Sequence, residues 1–189
     1  MTQSESEKLK PARYSSGAVA NWFIAKAMGT KKSLTHMQLQ KLIYFAHGWH
    51  LAKCDGQLLV NECAEAWVYG PVFPEVYHEY KKYGSAPLPL GDRTFMMELD
   101  FSDHKNIVFR KNFVKKDDSQ AIQILEKVWS EYSDKSGSVL SDMTHIDRPN
   151  NPWKKWRNEA NKLRMQSIDI SNNDIKSYFC ELDAKKATH

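Results

Sequence analysis

The sequence predicts a mainly α, single-domain helical bundle that carries one small β-hairpin or extended pair. Three observations lead there. Apolar residues recur at helical spacing along most of the chain, and each such stretch is bounded by capping residues, glycine or proline. Only short segments near 58–68 and 94–114 alternate instead. With 189 residues, 41% of them apolar, one domain can bury a substantial core, and six Trp argue against a disordered chain.

Residues 1–14 are polar, contain Pro11 and read as a flexible tail, followed by one domain over 15–183 and a frayed end over 184–189. The first helix should start near Ser15 or Ser16, either of which can cap backbone N–H groups. Val19, Trp22, Phe23 and Ala27 build one stripe, and Gly29 is the expected stop. Thr35 and Gln38 form a capping box for the second helix, with Leu34 and Leu39 placed as a hydrophobic staple. From Leu39 through Leu42, Ile43, Phe45, Ala46, Trp49 and Leu51 that helix is apolar over more than half its circumference. A helix of this kind is buried on several sides, so it belongs at the centre. Asp55-Gly56 ends it with a turn.

Leu58–Val60 and Ala64–Val68 then predict a small strand pair or extended chain, broken at Gly70-Pro71. Pro74 opens a third helix with Phe73, Val76, Tyr77 and Tyr80 on one face, and Gly84 stops it. Residues 94–116 alternate well enough for a hairpin joined through Ser102 to Lys105. Helices follow from about Ser119 (Ile122, Leu125, Val128, Trp129 and Tyr132 inward), over Ser138–Ile146, from Asn151-Pro152 with Trp153 and Trp156 one turn apart, and from Ser171. The inner face of the last is Ile175, Tyr178, Phe179 and Leu182.

The longest apolar runs are too short to span a bilayer, and the N-terminal MTQSESEKLKPAR has no apolar core of a signal peptide, so the expected compartment is the cytoplasm. Three widely spaced Cys fit reduced thiols. A formal charge of +4 falls short of a nucleic-acid footprint.

Several constellations carry residue types used in metal binding, catalysis or recognition. His47, His50 and Cys54 fall at i, i+3 and i+7, the spacing of zinc ligands on one helical face. No matching ligand pair follows downstream, and a helix surface with polar groups beside a large apolar face accounts for them. Cys63 with His145 and Asp142 or Asp147 would make a nucleophile, base and orienter, but no local motif supports the set. Glu62 and Glu65, three apart in extended chain, would point to opposite faces instead of pairing as acid and base. There is no phosphate-binding glycine loop. The cluster Lys154, Lys155, Arg157, Lys162 and Arg164 around Trp153 and Trp156 fits a solvated helix face with its tryptophans inward better than a nucleic-acid patch. Trp67 and Tyr69 flank Gly70-Pro71 and could border a groove, since exposed Trp and Tyr are enriched at protein-binding hot spots.

The order of short motifs is more specific. Leu39-Gln40-Lys41-Leu42-Ile43-Tyr44-Phe45-Ala46-His47-Gly48-Trp49 resembles the LQKLLYYAQGW opening of the Panacea domain, the SocA-like, phage-associated antitoxin family. The similarity continues through Glu62, Ala66-Trp67, Tyr69-Gly70-Pro71-Val72, Pro74, Val76-Tyr77, Tyr80-Lys81 and Tyr83-Gly84. Leu140-Ser141, Thr144-His145 and Pro152-Trp153 complete it. Departures are His47 in place of Gln, Leu58 in place of Pro, a longer 148–151 and an enlarged 91–116. The resemblance implies an antitoxin of a type II, prophage-associated toxin–antitoxin pair that binds a cognate toxin protein directly. A proteolytic adaptor delivering the toxin to ClpXP is the alternative. It implies no catalysis, no cofactor, no membrane and no nucleic-acid partner, and specifies no oligomeric state. The expected partner contacts are Trp67, Tyr69, Phe73, His145 and Trp153. Gln40, Lys41, Tyr44, Trp49, Gly70, Pro71, Pro74, Tyr77, Tyr80 and Gly84 are expected to be architectural.

Overall fold

The computed structural model describes residues 9–91, 97–100 and 108–186. Its elements are α1 (Ser16–Thr30), α2 (His36–Lys53), β1 (Glu65–Trp67), β2 (Gly70–Val72), α3 (Pro74–Tyr80), β3 (Met97–Asp100), β4 (Val108–Lys111), α4 (Ser119–Tyr132), α5 (Gly137–Thr144), α6 (Pro152–Lys162) and α7 (Asn172–Lys186). The architecture is mainly α, with two separate two-stranded antiparallel sheets, β1–β2 and β3–β4.

The central helix starts where its capping residues dictate. The Gln38 amide N–H donates to Thr35 Oγ1, and Gln38 Oε1 accepts from the Thr35 N–H at 2.9 Å, which closes the capping box. From Leu39 to Leu51 every residue of α2 is buried. Its faces meet α1, α3, α4, α5, α7 and β2, so the bundle is built around it. Aromatic packing closes the α4 and α7 sides. Phe45 stacks on Tyr132 at 4.5 Å, Trp49 meets Phe179 edge-on at 5.2 Å, and Trp49 Nε1 donates to the Tyr132 hydroxyl. Gly48 admits α7, because a Cβ there would lie 2.2 Å from the Phe179 ring.

Several local expectations shift. Gly29 does not stop α1, which runs to Thr30 and ends with Lys31 in the left-handed region. Gly137 opens α5 under the Ser136 cap, with Met37 against it. Residues 10–14, placed in the tail by composition, instead lie parallel to 57–60. Their backbone bonds include Lys10 N–H to the Gly56 carbonyl and Tyr14 N–H to the Leu59 carbonyl, both 3.0 Å. The Tyr14 hydroxyl also donates to Asp118 at 2.7 Å, which ties this strap to the cap of α4. Residues 1–8 and 187–189 lie outside the described residues, while helix α7 continues through 184–186, expected to fray. The 94–116 hairpin is present as β3–β4 with Met97 opposite Lys111; its connection falls outside the described residues.

The main correction concerns Gly70-Pro71. These residues do not break a strand; they form one. The pairs are Glu65 with Val72, Ala66 with Pro71 and Trp67 with Gly70, so the turn is Val68-Tyr69. Leu58–Val60 pairs with the N-terminal strap, not with this hairpin.

Two glycine substitutions test the packing around α2. Gly48→Ala should destabilise by about 2 kcal/mol or more through overpacking against Phe179. Gly29→Ala, where a Cβ meets nothing within 4 Å, should be neutral or stabilise by up to about 1 kcal/mol. Urea unfolding of both variants measures the difference.

Candidate functional site

The β1–β2 hairpin is held in place by side chains that bind its main chain. Trp153 Nε1 donates to the Trp67 carbonyl at 2.7 Å, Ser141 Oγ to the Tyr69 carbonyl at 2.9 Å, and Lys41 Nζ to the Pro71 carbonyl at 2.9 Å. Gln40 takes the next alternate residue at both ends, donating to the Phe73 carbonyl at 3.2 Å and accepting from the Phe73 N–H at 2.8 Å. On the outer edge the Ala66 N–H donates to the Ile168 carbonyl at 2.8 Å. Asn151 fixes the approach of α6. It caps that helix through the Lys154 N–H and donates to the Thr144 and Ile146 carbonyls, each at 2.9 Å. His145 then stacks on Trp153 at 3.8 Å.

Gly70 is required by geometry twice over. Its φ is +95°, and a Cβ there would sit 2.6 Å from Thr144 Oγ1 and 2.7 Å from Lys41 Nζ.

Between the start of α2, this hairpin and α3 lies a cavity of about 420 Å³. Helix α2 contributes His36, Met37, Gln40 and Lys41, the hairpin contributes Trp67, Val68, Tyr69 and Val72, and α3 contributes Tyr77. The Trp67 and Tyr77 rings are 4.6 Å apart, with His36 5.3 Å beyond Tyr77. At the rim, Tyr69 is 71% and Val68 59% exposed, next to the partly exposed Met37.

Lys41 is the unusual group. It is 1% exposed, and among the described residues no carboxylate pairs with it. Burial pushes its pKa from 10.5 down to about 7. His36 is driven to about 4, first by burial and then by Lys41, and His145 is lowered by the same two causes in the same order. Both imidazoles are therefore neutral beside an amine that carries part of a charge at neutral pH.

Of the expected partner contacts, the structure brings Trp67 and Tyr69 to the cavity and places His145 and Trp153 together behind the hairpin. Phe73 is a correction: it is fully buried in the core, and the group it presents to Gln40 is its backbone. Gln40, Lys41, Tyr77 and Gly84, expected to be architectural, also line the cavity. His36, Met37, Gln166 and Ser167 carried no sequence signal for this role. The second-helix motif could have marked His36, which lies one turn before Gln40.

The other constellations are absorbed into structure. His47 and His50 are not on a helix surface; both are buried. His47 Nε2 meets Asn172 Oδ1 at 2.9 Å, and His50 Nδ1 meets the Gln57 carbonyl at 2.8 Å. Among the described residues no three His, Cys, Asp or Glu side chains form a metal-ligand group. Burial raises the Cys63 thiol pKa, the direction opposite to a reactive thiolate. Glu62 accepts from Ser16 and the Glu75 N–H, whereas Glu65 accepts from Trp67 Nε1, so the two carboxylates diverge. In the basic cluster Lys154 pairs with Asp147, Lys155 with Asp174 and Lys162 with Glu159, while Arg157 binds the Gln166 carbonyl. No helix among the described residues is long and apolar enough to cross a membrane.

Comparison with known proteins matches residues 39–154 to the family described as antitoxin SocA-like, Panacea domain. The chain belongs to this family. Antitoxin SocA of Caulobacter vibrioides (strain NA1000 / CB15N) is 42% identical over 74 residues, which cover 39% of this chain and 39% of that protein. The chain thus matches about two fifths of that relative's length. No solved structure matches. The residues that grip the hairpin, Gln40, Lys41, Ser141 and Trp153, all fall inside the family match.

The Lys41 environment predicts a pH effect on stability. Between pH 7 and pH 9 the unfolded chain keeps the Lys41 proton while the folded chain loses it, so stability rises with pH in that window. The contribution is about 2–3 kcal/mol from pH 7 to 9. Lys41→Met should remove this rise and be the more stable form at pH 7. Urea unfolding of both proteins at the two pH values checks it.

Proposed function

We propose that this chain is the antitoxin of a type II toxin–antitoxin pair, acting in the cytoplasm by binding its cognate toxin protein directly. Membership of the SocA-like family supports this reading, together with the similarity to the Caulobacter antitoxin SocA. The observation that carries the choice of surface is the hairpin tip. Tyr69 and Val68 stand exposed on a turn whose backbone is fixed from behind by Ser141 and Trp153. A rigid, exposed aromatic loses little entropy on binding and makes an efficient hot spot. With Met37 beside it, the tip forms an apolar rim suited to a protein partner. Neutralisation of this kind needs no catalytic step by the chain and no nucleic acid.

Co-expression with the toxin of the adjoining reading frame tests the reading. The chain should rescue growth and co-purify with an intact toxin. Rescue that instead requires ClpX and is accompanied by loss of the toxin would mark a proteolytic adaptor. Toxicity that persists despite expression of the folded chain sinks both. Tyr69→Ala and Val68→Asp should each weaken toxin binding by tenfold or more, about 1.4 kcal/mol, while unfolding stability changes by less than about 0.5 kcal/mol.

A further inference from the structure

The cavity beneath the hairpin tip has walls that docking at the exposed rim leaves unused. Its volume of about 420 Å³ is that of a small-ligand site. Three rings line it. Trp67 and Tyr77 lie 4.6 Å apart, and His36 stands 5.3 Å beyond Tyr77. Met37 and Val72 add apolar surface.

The polar liners are uncharged or committed elsewhere. Among the described residues no aspartate, glutamate or arginine lines the cavity. His36 is neutral, because burial and then Lys41 drive its pKa to about 4. Lys41 gives its Nζ to the Pro71 carbonyl, beside Gly70 and Thr144, and none of these three residues lines the cavity. The Gln40 amide is bonded to Phe73 at both ends. Gln166 and Ser167 remain. Both are liners, and among the described residues neither side chain makes a hydrogen bond. An amide and a hydroxyl each donate and accept.

A polypeptide strand finds no main-chain anchorage beside these walls. Residues 168–170 take the outer edge of β1, and the carbonyls of Tyr69, Pro71 and Phe73 are bonded to Ser141, Lys41 and Gln40. Pro71 has no N–H to offer. An occupant is therefore held by its faces and its own polar edge, not by strand addition. Aromatic walls favour a flat π face. A free amide and hydroxyl match an edge that carries both donors and acceptors. An ammonium, carboxylate or phosphate group meets no opposite charge among these liners.

We infer that this cavity binds an uncharged planar heteroaromatic of the nucleobase class, its ring against Trp67 and Tyr77 and its polar edge on Gln166 and Ser167. The inference goes beyond toxin neutralisation and does not depend on it.

The test titrates the purified full chain by calorimetry at pH 7.5 with adenine, indole and adenosine 5′-monophosphate. Adenine should bind with a dissociation constant of about 1 mM or tighter. Indole keeps a flat ring but offers a single donor, and should bind at least about fivefold more weakly. The monophosphate should bind no more tightly than adenine. The double variant Gln166→Ala, Ser167→Ala should lose at least about fivefold in adenine affinity while indole stays within about twofold, a split that a merely apolar pocket does not produce. Absence of adenine binding at about 5 mM overturns the inference. So does indole binding the wild-type chain as tightly as adenine, or a monophosphate bound about tenfold more tightly than adenine. Unchanged adenine affinity in the folded double variant overturns it as well. If no probe binds and a folded Tyr77→Leu protein loses about tenfold in toxin affinity, the cavity belongs to a toxin side chain. That outcome overturns the inference and leaves the antitoxin reading standing.

Discussion

Four carbonyl groups along the β1–β2 hairpin and its exit, those of Trp67, Tyr69, Pro71 and Phe73, are each bound by a side-chain donor from the helical bundle. The remainder of the site depends on this arrangement. A two-stranded hairpin pairs only one edge of each strand, and its other backbone groups need partners once they are buried. Residues 168–170 pair with the outer edge of β1 around Glu65, but among the described residues no strand covers the carbonyls of Trp67, Tyr69, Pro71 and Phe73. Lys41 and Gln40 from α2, Ser141 from α5 and Trp153 from α6 do so instead, at every second residue. The donors are up to 113 positions apart in the chain, so the hairpin is seated only when α2, α5 and α6 are assembled. It thereby becomes a platform fixed to the core, and not a loop lying on it.

This explains which parts of the structure were legible in the sequence. The start of α2 and the starts of α3 and α6 rest on local chemistry, a capping box and prolines at the first turn, and these act over four residues. The hairpin rests on distant groups. Gly70-Pro71 carries the composition of a strand breaker, yet the glycine is there for a positive φ and the close approach of Lys41. Pro71 is tolerated because its partner Ala66 sends its own N–H outward to Ile168, so the ladder needs no donor at that point. The same seating turns Phe73 inward, in line with its spacing to the buried Val76 and Tyr80, whereas Tyr69 stays in the exposed turn. The strap at 10–14 is similar: its composition is polar, and it is held by backbone bonds to 56–61 and by the contacts of Arg13 and Tyr14 with Asp118, more than 100 positions away.

Lys41 is the clearest case of information absent from the sequence. A lysine between glutamine and leucine on an amphipathic helix suggests a solvated side chain. Its burial follows from α2 being covered on nearly all sides, and its lack of a counter-ion follows from which groups α5 and the hairpin bring close. Neither property has a local signature. Hydrogen bonding to a carbonyl offsets only part of the desolvation of an ammonium ion. A methionine would fill the same volume without that penalty. The lysine therefore costs stability on the charge side, while its hydrogen bond satisfies the Pro71 carbonyl, which the donors on Trp67, Tyr69 and Phe73 do not reach.

A division of labour between inward and outward groups follows. The residues that carry the family resemblance point mainly inward: Gln40 and Lys41 at the hairpin backbone, Tyr44 and Trp49 in the core, Gly70 against Thr144, Trp153 against His145. They define the platform. The exposed apolar groups at its edge, Val68 and Met37, lie outside the matching motifs, and Tyr69 is the large hydrophobic of those motifs that faces solvent. On the proposed antitoxin reading, a platform specified by buried contacts can keep its shape while the few residues at the tip change. A fold held in this way suits one domain to partners of different surface chemistry, since altering the tip leaves every hydrogen bond that seats the hairpin in place.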